Sequence, residues 1–243
     1  MSSLGGHSLH FHLPKPLHGW REYVGEIGII VVGVLIALSA EQVVEYLHWQ
    51  QEVADTTEEL DGELHRNAVS AYDWLTVSRC IDGQLEAIDT ALASARQSGR
   101  VEPTAPLTPP LVVFSEDAWL NARALQVTNH LPRDRLAEYS RMFYFPRRLV
   151  ESVVELHKEA AELRPLSNGV TPISTEEVGA YQRQAGRVHE LVKRVELAET
   201  LLLGRLGSLG IKPTQEEMRR ILNSNRSSVG ECVGPPPTYA PDA

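Results

Sequence analysis

The sequence predicts an all-α protein: a single N-terminal transmembrane helix that continues into a long stalk helix, plus a helical bundle. Three observations predict it. One long uncharged apolar run lies at residues 27–40. Apolar residues recur at spacings of three and four from Leu64 to Ala95, and again from Val178 to Leu206. No stretch reads as a strand.

Residues 1–19 hold Gly, Ser, Pro and His with nothing periodic, and read as a disordered cytoplasmic tail. His7, His10 and His12 could touch a metal, but no Cys or carboxylate stands beside them. They read as a surface tract, and no metal or cofactor is expected.

Residues 20–46 form the expected transmembrane helix. The uncharged run alone gives about 21 Å of helix, short for a hydrocarbon core of about 30 Å. Its flanks lengthen it. Trp20 and Tyr23 stand before it, Tyr46 and Trp49 after it. Tyr23 to Tyr46 spans about 35 Å and Trp20 to Trp49 about 43 Å, with aromatic rings at both interfaces. Glu26 and Glu41 then fall near the core boundaries. Two rivals stay open. One is a buried helix of a soluble core. The other is a signal peptide cleaved after Ser39, where Ala37-Leu38-Ser39 offers small residues. Against cleavage, only Lys15 is basic before Trp20, and Glu22 and Glu26 press on the run. Lys15 and Arg21 lie upstream, and no Lys or Arg follows Ala40 until Arg66. Basic residues favour the inside, so the N-terminus is expected in the cytoplasm and the bulk outside, in the periplasm of an inner-membrane protein.

Glu26, Ile30, Gly33, Ala37 and Glu41 share one helical stripe. Gly33 and Ala37 form a small-xxx-small pair, a possible helix–helix contact for a homo-oligomer.

The stalk and long helix occupy residues 47–99. Glu41 to Glu63 is acidic and poor in apolar residues, and reads as solvated. From there Leu64, Ala68, Ala71, Leu75, Ser78, Ile81, Leu85, Ile88, Leu92 and Ala95 form a near-heptad, coiled-coil-like seam. Gly62 or Gly83 could mark a bend, and Ser98-Gly99 ends the helix.

Residues 100–113 carry Pro103, Pro106, Pro109 and Pro110 and read as an extended connector. Residues 114–222 form the bundle. Ser115 is expected to cap a helix over 116–127. Leu131-Pro132 opens another, which Pro146 kinks or splits and which ends near Leu163. Residues 165–172 read as a turn around Asn168-Gly169. Ser174-Thr-Glu-Glu177 is a capping box. It starts a long helix with Val178, Tyr181, Ala185, Val188, Val192, Val195, Leu202 and Leu206 inside. Gly207 and Gly210 end it. Thr214-Gln-Glu-Glu217 caps a last helix to Leu222. Residues 223–243 read as a disordered tail.

The net charge of the 243-residue chain is −9. The segment through Glu26 is balanced, so the remainder carries the acidity, which excludes nucleic acid as the expected partner. Cys80 and Cys232 are the only cysteines. In an oxidising compartment they are a possible disulfide.

No HExxH, CxxC, GxSxG, Walker A or Rossmann pattern occurs. Glu45-Tyr-Leu-His48 is a single Glu-x-x-His, where a di-iron bundle needs two. Glu151, Glu155 and Glu159 with His157 share a helix, as a solvated face would. Arg133, Arg135, Arg141, Arg147 and Arg148 alternate with Tyr139, Phe143, Tyr144 and Phe145. Arg147 and Arg148 are possible contacts to an anionic surface such as lipid headgroups.

Pro14-Lys15-Pro16-Leu17-His18-Gly19-Trp20-Arg21, the run from Gly25 to Leu38 and Ala40-Glu41-Gln42 together resemble the start of an uncharacterised group of bacterial proteins. The likeness covers about residues 14–50. It implies one uncleaved N-terminal transmembrane helix and a helical remainder, and it brings no functional residue. The expected function is a non-enzymatic scaffold, accessory or interaction protein of the cell envelope, with the lipid bilayer and an unidentified envelope protein as partners. The alternative is a small-ligand-binding, sensory-type helical domain acting through a membrane partner.

Overall fold

The computed structural model describes residues 19–236. His7, His10, His12 and the rest of residues 1–18 lie outside the described residues, as do residues 237–243. The chain divides into two compact units, one ending at Gln51 and one beginning at Glu52. The fold is all-α: the described residues contain no strand, only one isolated bridge between Val101 and Val170.

Helix α1, Trp20–Ser98, contributes to both units. In the first unit its apolar residues, among them Ile29, Ile30, Leu35 and Ile36, are exposed. Ser39 donates its hydroxyl back to the Leu35 carbonyl at 2.7 Å, so the polar side chain is satisfied within the helix.

In the second unit α1 is the central element. Every residue of the seam from Leu64 to Ala95 is buried, Ser78 included. Burial starts earlier than the sequence suggests. Thr56, Leu60 and Glu63 are already inside, so the stretch before Leu64 is not all solvated stalk. The physical reason is that Leu60 extends the seam by one turn and Glu63 is a cap for another helix. The helix continues through Gly62 and Gly83 and stops at Ser98. Gly99 follows at φ 67°, the left-handed conformation that closes helices.

The connector is docked, not free. Val101 and Val170 exchange backbone hydrogen bonds at 2.9 and 3.1 Å, and the Thr104 N–H reaches the Leu166 carbonyl at 3.2 Å. Gly169, at φ 74°, makes this approach possible: a Cβ there would sit 3.0 Å from the Val101 carbonyl oxygen.

Helix α2 covers Asp117–Ala124 and stops short of residue 127. Gln126 turns left-handed at φ 60° and a single 3-10 turn follows at Val127–Asn129. Helix α3 is Arg133–Met142 and α4 is Tyr144–Ala161, divided at Phe143. Pro146 causes the division. It lies in the first turn of α4, where no intrahelical N–H is required. Helix α5, Thr175–Ser208, and α6, Gln215–Val229, each open on a complete capping box, at Ser174/Glu177 and Thr214/Glu217.

The core forms where the α1 seam meets Leu149, Val153 and Leu156 of α4 and Val178, Ala185, Val188, Val192, Val195, Leu202 and Leu206 of α5. Each fully buried aliphatic side chain contributes about 1.5–3 kcal/mol. Tyr181 packs at the margin. Arg96 donates to Gln182 at 2.6 Å and Lys193 pairs with Asp82 at 2.9 Å. As one sequence number falls the other rises, so α5 runs antiparallel to α1.

The last helix exceeds its expected end at Leu222 and runs to Val229. Of the tail expected to be disordered, residues 223–236 are ordered by α6 and by contacts to α1. Asn225 donates to Asp73 at 2.6 Å and to Thr76 at 2.8 Å.

A second stripe of α1 is polar and binds the chain entering α2. Asn67 donates to the Ser115 carbonyl at 2.8 Å and accepts the Ser115 N–H at 2.9 Å. Ser70 donates to the Val113 carbonyl at 2.8 Å. The Glu63 carboxylate accepts the backbone N–H groups of Asp117 and Ala118, both at 3.0 Å. The sequence assigns the cap to Ser115. Its hydroxyl does accept from Asp117 N–H, at 3.2 Å, but it also donates to Glu63, which supplies most of the cap from another helix. Replacing Asn67 by Ala removes both bonds to Ser115 in a buried setting. In urea unfolding of the full chain in detergent we expect Asn67→Ala to cost about 2–3 kcal/mol, and Ser70→Ala, at a half-exposed position, under about 1 kcal/mol.

Candidate functional site

Three places in the fold carry features beyond packing: the exposed apolar part of α1, the arginine-bearing surface of α3 and α4, and the attachment of the C-terminal segment to α1. A fourth, a carboxylate inside the core, bears on pH.

Within α1 is one helix long and apolar enough to cross a membrane, and its most apolar window has no buried residue. Trp20, Tyr23 and Tyr46 are exposed at its flanks. Tyr46 accepts from the Gln50 amide, and the rings of His48 and Trp49 lie 5.4 Å apart. Gly33 and Ala37 are exposed, and among the described residues nothing beyond the local helix backbone lies within 4 Å of where a Cβ on Gly33 would stand.

The arginines do not converge. Arg135 lies 3.7 Å from Glu138 and over the Tyr139 ring. Arg147 is 4.0 Å from Glu116. Arg148 donates to the Tyr144 hydroxyl and to Glu151, and these bonds raise its pKa. Both Arg147 and Arg148 are exposed, and each faces an acidic neighbour. Tyr139 belongs to the core: it donates to Asp61 at 2.8 Å, and burial, then Asp61, push its phenol up.

The acidic run on α4 also disperses. Glu151 pairs with Arg148. Glu159 accepts from Gln184 and Arg187, which lower its pKa. His157 bonds the Pro110 carbonyl at 3.3 Å. Among the described residues no three His, Cys, Asp or Glu side chains form a group that could hold a metal ion.

Cys80 and Cys232 are joined in a disulfide, their Cα atoms 5.2 Å apart. Cys80 is buried and Cys232 is exposed. The bond fixes a strap, Gly230 to Pro236, against α1. Val233 is buried with Val77 and Cys80, with Leu222 packed alongside, in a cluster separate from the main core. The Gly234 N–H donates to the Thr76 carbonyl at 3.1 Å. Burying Val233 contributes about 2 kcal/mol and the hydrogen bond about 1 kcal/mol. Ordering each backbone residue costs about 1–2 kcal/mol. Over the whole strap the cost is larger, so the covalent link holds it down. The strap's Pro235 and Pro236 form one wall of a cleft of about 360 Å³, with Tyr72, Lys212, Pro213 and Met218. Tyr72 is buried there, which raises its phenol pKa.

Glu199 is the feature that the sequence reading passed over. Its side chain is fully buried and neither carboxylate oxygen has a hydrogen-bond partner. Burial first, then the charges of Glu196 and Asp73, push its carboxyl well above the usual range. A signal existed: Val188, Val192, Val195, Leu202 and Leu206 keep a spacing of three and four only if residue 199 is also inside.

No protein-family model matches the chain, and neither a curated protein nor a solved structure does. The resemblance of residues 14–50 therefore brings no assigned activity.

Because the folded pKa of Glu199 lies above the unfolded value of about 4.5, the folded state binds the extra proton. Stability from this group is complete below pH 4.5 and is lost as pH rises toward the folded pKa, by about 1.4 kcal/mol per pH unit at most. Urea midpoints measured from pH 5 to pH 8 should fall more steeply for the wild type than for Glu199→Gln, which stays neutral throughout.

Proposed function

We propose that this protein is a single-pass, membrane-anchored helical protein of the bacterial cell envelope, and that its bundle is a non-catalytic scaffold or interaction domain. One observation carries the reading: the apolar surface of α1 around residues 27–47 is exposed. An apolar surface of that length and continuity is stable in hydrocarbon and not in water. The backbone polar groups are satisfied within the helix, as hydrocarbon requires. The aromatic residues at both ends suit the two interfaces.

The N-terminus is cytoplasmic in this reading and the bundle lies outside the inner membrane, because Lys15 and Arg21 precede the apolar run and an acidic stretch follows it. The disulfide supports the same side, since such bonds persist in oxidising compartments. The lipid bilayer is then the first partner and an envelope protein the second. The dispersal of His157, Glu151 and Glu159 into separate pairings supports a binding role over a catalytic one.

Two measurements test this. After lysis and alkaline carbonate washing, the full-length chain should stay in the membrane pellet and move to the supernatant only with detergent. Recovery in the supernatant without detergent overturns the anchor. Protease added to intact spheroplasts should then digest the bundle, and protection of the bundle overturns the orientation.

A further inference from the structure

We propose that the Cys80–Cys232 disulfide is a redox latch, and that its reduction by a dithiol releases the strap Gly230–Pro236 and opens the Tyr72 cleft. The latch involves the bundle alone, so it stands or falls independently of the membrane placement.

The geometry separates the strap from the rest of the molecule. Its one buried side chain, Val233, packs with Val77 and Cys80 and stands apart from the core built on α1, α4 and α5. Its one backbone tie to α1 among the described residues is the bond from Gly234 N–H to Thr76. Gly230, at φ 112°, ends α6 and gives the chain a hinge that other residues disfavour. Pro235 and Pro236 wall the cleft, but Tyr72 stands on α1, Met218 on α6 and Pro213 immediately before the α6 cap. Losing the strap therefore removes one wall and leaves the others.

The two cysteines are unequally placed. Cys232 is exposed and Cys80 is 6% exposed. An incoming thiolate reaches the Cys232 side, forms a mixed disulfide there, and breaks the bond to Cys80. The Cys80 thiolate leaves and takes a proton. The second thiolate of the donor attacks the mixed disulfide, and Cys232 leaves and is protonated in turn. The donor departs as a disulfide, having supplied two electrons and two protons. The released strap uncovers Tyr72, Val77 and Cys80, an apolar strip that the oxidised protein keeps covered. A protein dithiol of the thiol–disulfide exchange class has the required chemistry.

The test uses the full chain in detergent micelles, with dithiothreitol as the reductant and hydrogen–deuterium exchange as the readout. Reduction should speed exchange at Val233 and Gly234 by about tenfold or more, a local opening, while amides of α5 between Val188 and Leu206 change less than about twofold. Cys232→Ser should show the fast strap without reductant. The latch is overturned if the strap exchanges equally slowly in the reduced protein or in Cys232→Ser. It is equally overturned if α5 accelerates together with the strap, or if no thiols appear until the chain is unfolded.

Discussion

Everything in the bundle depends on α1 being surrounded. Between Ala71 and Ile81 nearly every residue is buried, polar ones included: Thr76 and Ser78 lie inside beside Trp74, Leu75 and Val77. A helix buried on most of its circumference needs a different kind of partner on each face. Its aliphatic seam receives α4 and α5, which is ordinary apolar burial. Its polar stripe receives the chain before α2, and its remaining face receives α6 and the strap. The two aliphatic hydroxyls in the crowded stretch are satisfied locally, Thr76 by the Asp73 carbonyl and Ser78 by the Leu75 carbonyl.

The polar stripe solves a connection problem. A proline-bearing segment cannot form a regular ladder, yet its carbonyls and N–H groups still need partners when buried. Asn67 acts toward Ser115 as a neighbouring strand would, donating to the carbonyl and accepting the N–H. Glu63 then finishes the entry into α2 by capping its first N–H groups. These residues set the path by which the chain leaves one long helix and enters the next. Glu63 is thus a structural carboxylate, in contrast to Glu199, which has no hydrogen-bond partner and owes its raised pKa first to burial and then to the charges of Glu196 and Asp73. The two glutamates differ in their surroundings: one meets backbone donors and the other meets no hydrogen-bond donor.

The strap illustrates how a weak element is kept in place. Its own contacts are few, and the chain that carries it follows a glycine hinge. A covalent bond between residues 152 positions apart in sequence supplies what packing does not. In the unfolded chain such a crosslink closes a long loop and removes entropy worth on the order of 4–5 kcal/mol in the chain-entropy model. One bond therefore has two consequences, a global one through the unfolded state and a local one at the cleft.

Much of this fold was legible in the sequence, because its signals are local. Spacing of three and four is a property of the helix itself, so the α1 seam and the inner face of α5 could be read before any partner was known. The two capping boxes and the stops at Gly99 and Gly210 are equally local. Proline explains why α3 and α4 are separate. The sequence also carried the apolar run and its aromatic flanks. What needed the tertiary structure was every pairing between distant residues. Glu63 looked solvated because nothing in its neighbourhood announces α2, more than fifty residues away. The arginines looked like a patch, but Arg135 and Arg148 are each paired with a glutamate one turn along the same helix, and Arg147 faces Glu116, from the cap of α2. The C-terminal segment looked unpacked because its order comes from α1. A chain's periodicity dictates which face is apolar, but only the folded arrangement decides what meets that face and which polar groups are buried with it.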